Sequence, residues 1–245
     1  MKKFWECKSS TESSGELYIY GEIVSYKWDD TDTTAKSFKA DLDGLGDITE
    51  LNIYINSPGG SVFQGIAIYN IIKRHKAKVN IHIDGLAASI ASVIAMAGDT
   101  VHMPENAMMM IHNPWTVAMG NASDLRKIAD DLDKTRETLI QSYLSKSGDK
   151  LDLGKLEPLL DAETWLTAQE CYDYGLCNMV GESKEIVASI DGEFMKKYQN
   201  TPERLLKASK YQQKTNENEK ELRKKMIQEA TANIENINFY LEGLR

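Results

Sequence analysis

A hydroxyl nucleophile, a base, a group that orients the base and donors for a developing oxyanion together permit acyl transfer through a covalent ester. This chain offers a residue for each role at the edge of a structural element. Ser89 follows Asp84-Gly85-Leu86-Ala87-Ala88 and precedes an apolar run, 90–97. A strand-like run, 79–83, stops just before that stretch. The pattern predicts a strand, a small-residue turn and a helix, with Ser89 in the first helical turn. Free N–H groups and the helix dipole favour negative charge there. Small residues also let backbones approach closely and leave room for a ligand. The alternative is that Ala87, Ala88, Ala91 and Ser92 are small because two helices pack tightly. His112 stands where a strand, 107–111, gives way to Asn113-Pro114. Asp161 and Glu163 precede a helix start at Thr167. The backbone N–H groups of Gly60 and Ile90 would serve the oxyanion. His82 and His102 lie on strands and read as structural, as does Ser92 one turn into its helix. His75, among Lys73, Arg74, Lys76 and Lys78, reads as a solvated surface residue.

These residues need a scaffold, and the hydropathy pattern supplies one. Alternating β-rich runs predict strands over 16–23 and 51–56. The second runs into Ser57-Pro58-Gly59-Gly60-Ser61, a tight, bare turn. Apolar residues at helical spacing predict helices over 35–45 and 62–74. Strand, glycine turn, helix, strand, small-residue turn, helix implies a parallel sheet with right-handed crossovers. Ligands bind such sheets beyond the carboxyl ends of the strands, where the Gly59-Gly60 and Ser89 turns fall. A short strand, 100–103, a turn at Pro104-Glu105-Asn106 and a return strand, 107–111, follow. Asn121 caps a long helix reaching about 146, which Gly148 stops. A shorter helix, 153–160, precedes an extended stretch, 161–166. Thr167 then caps a helix over 168–174 that Gly175 ends.

The segment 183–245 differs in character. It carries 12 basic and 10 acidic side chains, leaving 17 basic and 27 acidic on the first 182 residues of a chain whose net charge is −8. An acidic body thus bears a highly charged tail. Within it a helix is expected over 191–199, a helix start at Pro202, a polar linker over 212–221 and an amphipathic helix over 222–244. The acidic balance argues against nucleic acid as the main partner. Cys7, Cys171 and Cys177 are odd in number and lack metal-ligand spacing, so they read as reduced thiols of a cytoplasmic protein. No apolar core follows Lys2 and Lys3, which predicts no secretion signal. No apolar run is long enough to span a membrane.

Ile55-Asn56-Ser57-Pro58-Gly59-Gly60, Gly85-Leu86-Ala87-Ala88-Ser89, Met110-Ile111-His112-Asn113-Pro114 and Trp165-Leu166-Thr167-Ala168-Gln169-Glu170 occur in an order and spacing that resemble the Clp protease proteolytic subunit (ClpP) family. The resemblance spans residues 16–181. It implies an α/β fold, a ClpP/crotonase-like spiral of ββα units with a protruding handle helix over 121–146. To this the chain adds a charged, mainly helical C-terminal extension. The expected divisions are a flexible segment 1–15, a protease domain 16–182 and the extension 183–245. The family's nucleophile matches Ser89, its base His112 and its oxyanion donors the N–H groups of Gly60 and Ile90. Its acid, an Asp, falls on Glu163, one methylene longer, with Asp161 as the alternative.

What the resemblance implies is a serine endopeptidase that needs no metal or cofactor. It would act on polypeptide substrates inside heptameric or tetradecameric rings. No Gly-rich Lys-Ser/Thr loop occurs, so any ATP dependence would come from a separate unfoldase. The extension 183–245 and the loop Trp115-Thr116-Val117-Ala118, which lacks the usual glycines, look more like the ClpP-like proteases of phage and prophage head-gene clusters. Those act in capsid maturation, with capsid or scaffold proteins as partners. Competing readings are a housekeeping-type peptidase, a crotonase-fold acyl-CoA enzyme, which needs neither Ser89 nor His112, and a capsid assembly protein with little proteolysis.

Overall fold

The computed structural model describes residues 8–11, 13–25, 33–182 and 197–203. The expected helix and linker over 212–244, Cys7, and most of the expected helix 191–199 lie outside these residues. The chain divides into two compact units, Met1–Thr201 and Pro202–Arg245.

The first unit is a mixed α/β structure on an eight-stranded sheet. Strand β1 (Lys8–Thr11) pairs antiparallel with β2 (Ser14–Ile23). Strands β2, β3 (Glu50–Gly60), β4 (Lys78–Ala88) and β5 (Thr100–Pro104) then run parallel in sequence order. Crossover helices α1 (Ala35–Gly44) and α2 (Val62–Lys73) connect them, as the alternating pattern predicts. Alternation divides each strand between two faces. Leu17, Ile19, Leu51, Ile53, Ile55, Val79, Ile81 and Ile83 are buried with Phe38 and Leu42 of α1 and Ile68 and Ile72 of α2. On the other face the parallel register aligns Tyr18, Tyr54, His82 and His102. Their rings stack at successive centroid distances of 4.8, 4.9 and 4.9 Å. His82 and His102 are thus built into the sheet face. His75 is half-buried, its Nδ1 accepting the Ala77 N–H at 3.2 Å, so it closes the turn after α2 rather than standing in solvent.

Two strands extend through segments expected to be turns. β3 continues across Ser57-Pro58-Gly59-Gly60, where Gly59 and Gly60 pair with Glu22 and Ile23. Gly59 and Gly60 have φ of 97° and 142°. A Cβ on Gly60 would lie 2.0 Å from the Ile23 carbonyl oxygen, so only glycine permits that approach. β4 continues through Gly85 to Ala88, its last residues aligned with strand β6 (Met108–Ile111). The small residues there serve a buried strand as well as the turn that follows.

β6 is not the return strand of a hairpin with β5. It lies parallel to the end of β4 and antiparallel to β7 (Thr164–Thr167). Helix α3 (Ile90–Ala95) follows β4, and the long α4 (Ala122–Ser147) follows the loop after His112. Asn121 caps α4 by accepting from the N–H groups of Ser123 and Asp124. Helix α5 (Leu153–Asp161) runs to Asp161, so the stretch expected to be extended is extended only from Thr164 onward. Thr167 caps α6 (Ala168–Asp173), and β8 (Met179–Gly181) completes the sheet beside β5. Residues 197–200 form a turn and bends rather than the end of a helix.

Candidate active site

Ser89 is positioned by the abrupt change from β4 to α3. Its φ of 55° is rare for a residue with a side chain and costs of order 1–3 kcal/mol. It therefore stands at the N-cap of α3, not in the first helical turn. Neighbours hold this backbone. The Ser89 N–H donates to the Met110 carbonyl at 2.9 Å. The Ser92 hydroxyl donates to the Ser89 carbonyl at 2.5 Å and lies 2.7 Å from the Tyr143 hydroxyl of α4. Ser92 thus ties the turn to the long helix.

The Gly59-Gly60 turn closes the other side. A Cβ on Gly59 would lie 2.8 Å from Ser89 Cβ and 3.3 Å from the Ile90 nitrogen, so Gly59 packs directly on the serine turn. Two buried polar residues hold the turn itself. Asn56 Oδ1 accepts the Leu86 N–H at 3.0 Å, linking β3 to β4. Ser57 Oγ donates to the Gly21 carbonyl at 2.6 Å and accepts the Gly59 N–H at 3.1 Å. These two residues belong to the Asn-Ser-Pro-Gly-Gly run, yet their spacing gave no sign of such roles. A polar pair entering a glycine turn from an apolar strand was the available signal.

His112 leaves the end of β6 with its Nε2 2.7 Å from Ser89 Oγ. Burial lowers the imidazole pKa below its ordinary value, and the charge of Glu163 partly offsets this. The ring is therefore neutral at neutral pH and able to accept a proton.

Glu163 reaches this site through strand register. β6 and β7 pair Ile111 with Thr164 and Met110 with Trp165, so the next residues out are His112 and Glu163. Glu163 has φ of 48°, a turn of the chain between α5 and β7. Its Oε1 accepts the backbone N–H of Asn200 at 2.7 Å. Asp161, two residues earlier, faces elsewhere. Its Oδ1 accepts from Asn113 Nδ2 at 2.8 Å and from Arg136 Nη2 at 3.2 Å. Arg136 also donates to Asn113 Oδ1 at 2.8 Å and Glu157 Oε1 at 3.1 Å. Asp161 thereby helps to moor the loop after His112, while Glu163 is the carboxylate whose charge acts on the imidazole.

A cleft of about 450 Å³ opens beside His112 and Glu163, lined also by Trp115, Asp161, Lys197 and Asn200. Tyr198 reaches into the site next to it. Its ring meets the His112 ring edge to face at 5.4 Å, and its hydroxyl donates to the Pro58 carbonyl. Sequence reasoning assigned Tyr198 no role. Among the described residues no cluster of three or more His, Cys, Asp or Glu side chains is arranged to hold a metal ion.

A strained serine, an imidazole in hydrogen-bond reach and a carboxylate beside that imidazole can transfer an acyl group onto a hydroxyl. A family model described as Clp protease matches residues 14–184. The chain belongs to the Clp protease family, whose members are peptidases.

Proposed function

We propose that this protein is a serine endopeptidase with Ser89, His112 and Glu163 as its catalytic triad. The observation that carries the reading is the 2.7 Å contact of His112 Nε2 with Ser89 Oγ at a strained strand-to-helix turn. Ser89 Oγ attacks the peptide carbonyl carbon, and His112 takes the hydroxyl proton. The same proton passes to the leaving amine as the C–N bond breaks. Water, deprotonated by His112, then hydrolyses the acyl-enzyme. Glu163 holds the imidazole tautomer and stabilises the imidazolium. The N–H groups of Gly60 and Ile90 bind the oxyanion, a contribution of order ~3 kcal/mol per donor. Asp161, moored by Arg136, is the weaker candidate for the third role. Loss of peptide-bond cleavage in Ser89→Ala tests this reading, and undiminished cleavage would end it.

The assembly we propose is a ring of copies, stacked through the segment after His112 and the long helix α4. Val117 and Met119 are 86% and 96% exposed in the single chain, and Trp115 and Leu125 are also exposed. An apolar strip of this kind favours burial against another copy. The substrates we propose are extended polypeptides of a phage or prophage capsid, taken up in the cytoplasm. The departures in loop 115–118 and the charged segment 183–245 support that setting over a housekeeping peptidase. Mass-spectrometric mapping of cleaved bonds in capsid and scaffold proteins tests the substrate. Cleavage of neither points instead to a partnership with a separate unfoldase.

A further inference from the structure

Residues 197–200 touch His112 and the Glu163 carboxylate at once. Tyr198 is only 7% exposed. Its ring lies edge to face against His112 at 5.4 Å and Trp165 at 6.0 Å. Its hydroxyl donates to the Pro58 carbonyl. Two residues on, the Asn200 N–H donates to Glu163 Oε1 at 2.7 Å, and Asn200 Nδ2 donates to the Ala162 carbonyl at 2.9 Å.

One proton direction follows from this arrangement. The phenol hydrogen is committed to the Pro58 carbonyl, which fixes the ring in place against His112. Ser89 Oγ keeps its 2.7 Å contact with His112 Nε2 beneath this cover. The consequence is one of space. A scissile carbonyl carbon must come within about 3–3.5 Å of Ser89 Oγ, and Tyr198 spans from His112 to Pro58, the two neighbours that flank that serine. The side chain seated against His112 is a phenol, with no acyl carbon to attack. The segment therefore occupies the site without being its substrate.

We propose that the pocket between Pro58, His112 and Trp165 is a binding site for an aromatic side chain, and that its resident ligand is the chain's own Tyr198, which keeps the protease latent. Substrate must displace residues 197–200, uncovering His112 and releasing the Glu163 carboxylate together. The proposal rests on the reading of Ser89 as nucleophile.

The test uses the full chain and a fluorophosphonate probe, with Ser89 labelling followed by mass spectrometry. Tyr198→Ala is expected to label about tenfold faster than the parent, because apparent reactivity scales with the open fraction. Tyr198→Phe keeps the ring, guards against a folding defect and should label at an intermediate rate. A synthetic peptide copying residues 195–202 should slow Tyr198→Ala back toward the parent rate. Equal or slower labelling of both variants, with the parent labelled normally, overturns the latent state. Absence of labelling in parent and variants alike overturns the nucleophile reading beneath it.

Discussion

The pairing of Ile111 with Thr164 across β6 and β7 sets His112 beside Glu163. An antiparallel register between segments distant in sequence thus chooses which carboxylate acts on the imidazole. Glu163→Gln should lower kcat by about 100-fold or more, since the imidazolium formed during attack loses its counter-charge. Asp161→Asn should leave kcat within a few-fold of the parent. Steady-state kinetics on both variants checks the assignment, and the reverse ranking would give the role to Asp161.

The pH dependence follows from the same pair. Burial lowers the His112 pKa below 6.5, and Glu163 acts in the opposite direction. Attack needs the neutral imidazole, so the rate falls as pH drops through the His112 pKa. The acid limb of the kcat/KM profile should therefore lie below 6.5. Removing the opposing charge in Glu163→Gln should move that limb lower still. An acid limb above the ordinary histidine value would contradict the burial described for the ring.

Arg136 links Asn113, Glu157 and Asp161, and so holds the loop that leaves His112. Its side chain is 24% exposed while those of Glu157 and Asp161 are 41% and 62% exposed, so solvent screening limits the energy of these pairs. Arg136→Ala should cost about 1 kcal/mol of stability in urea denaturation. It should lower kcat more than it changes KM, because it disturbs the position of His112, the proposed base.

Gly65 of α2 faces the first residue of α3. A Cβ there would lie 2.1 Å from Ile90 Cγ1. Gly65→Ala should push the buried Ile90 aside and shift the start of α3 where the oxyanion donor is proposed. A loss of about 1–3 kcal/mol is the usual scale for overpacking, and kcat should fall with it. Thermal denaturation and kinetics on one preparation separate the two effects.

The exposed strip carrying Val117 and Met119 should disappear into an interface if copies associate through it. The parent is expected to sediment as an oligomer, and Val117→Asp with Met119→Asp should shift it toward a single chain. A parent that sediments as a monomer would count against a closed chamber.

Much of the scaffold was legible because alternation in β2, β3 and β4 and the capping residues Asn121 and Thr167 are local signals. The strand ends were less so. Gly85 to Ala88 reads as a turn from composition, but pairing with β6 makes it strand. β6 was misread as a hairpin partner of β5 because nothing local shows which edge a short apolar strand will join. Ser89 and His112 stood out since polar residues at element boundaries are conspicuous. Their contact, and the choice of carboxylate, depend on tertiary pairing that no window of sequence contains. Tyr198 was invisible for the opposite reason: it is one aromatic between Lys197 and Gln199 in a charged segment, with no motif around it.

The most direct test of the central claim is covalent. Parent protein treated with a fluorophosphonate should carry one adduct per chain, mapped by mass spectrometry to Ser89. Labelling should be lost in Ser89→Ala and strongly slowed in His112→Ala. An adduct on another residue, or cleavage that persists in Ser89→Ala, would contradict the account.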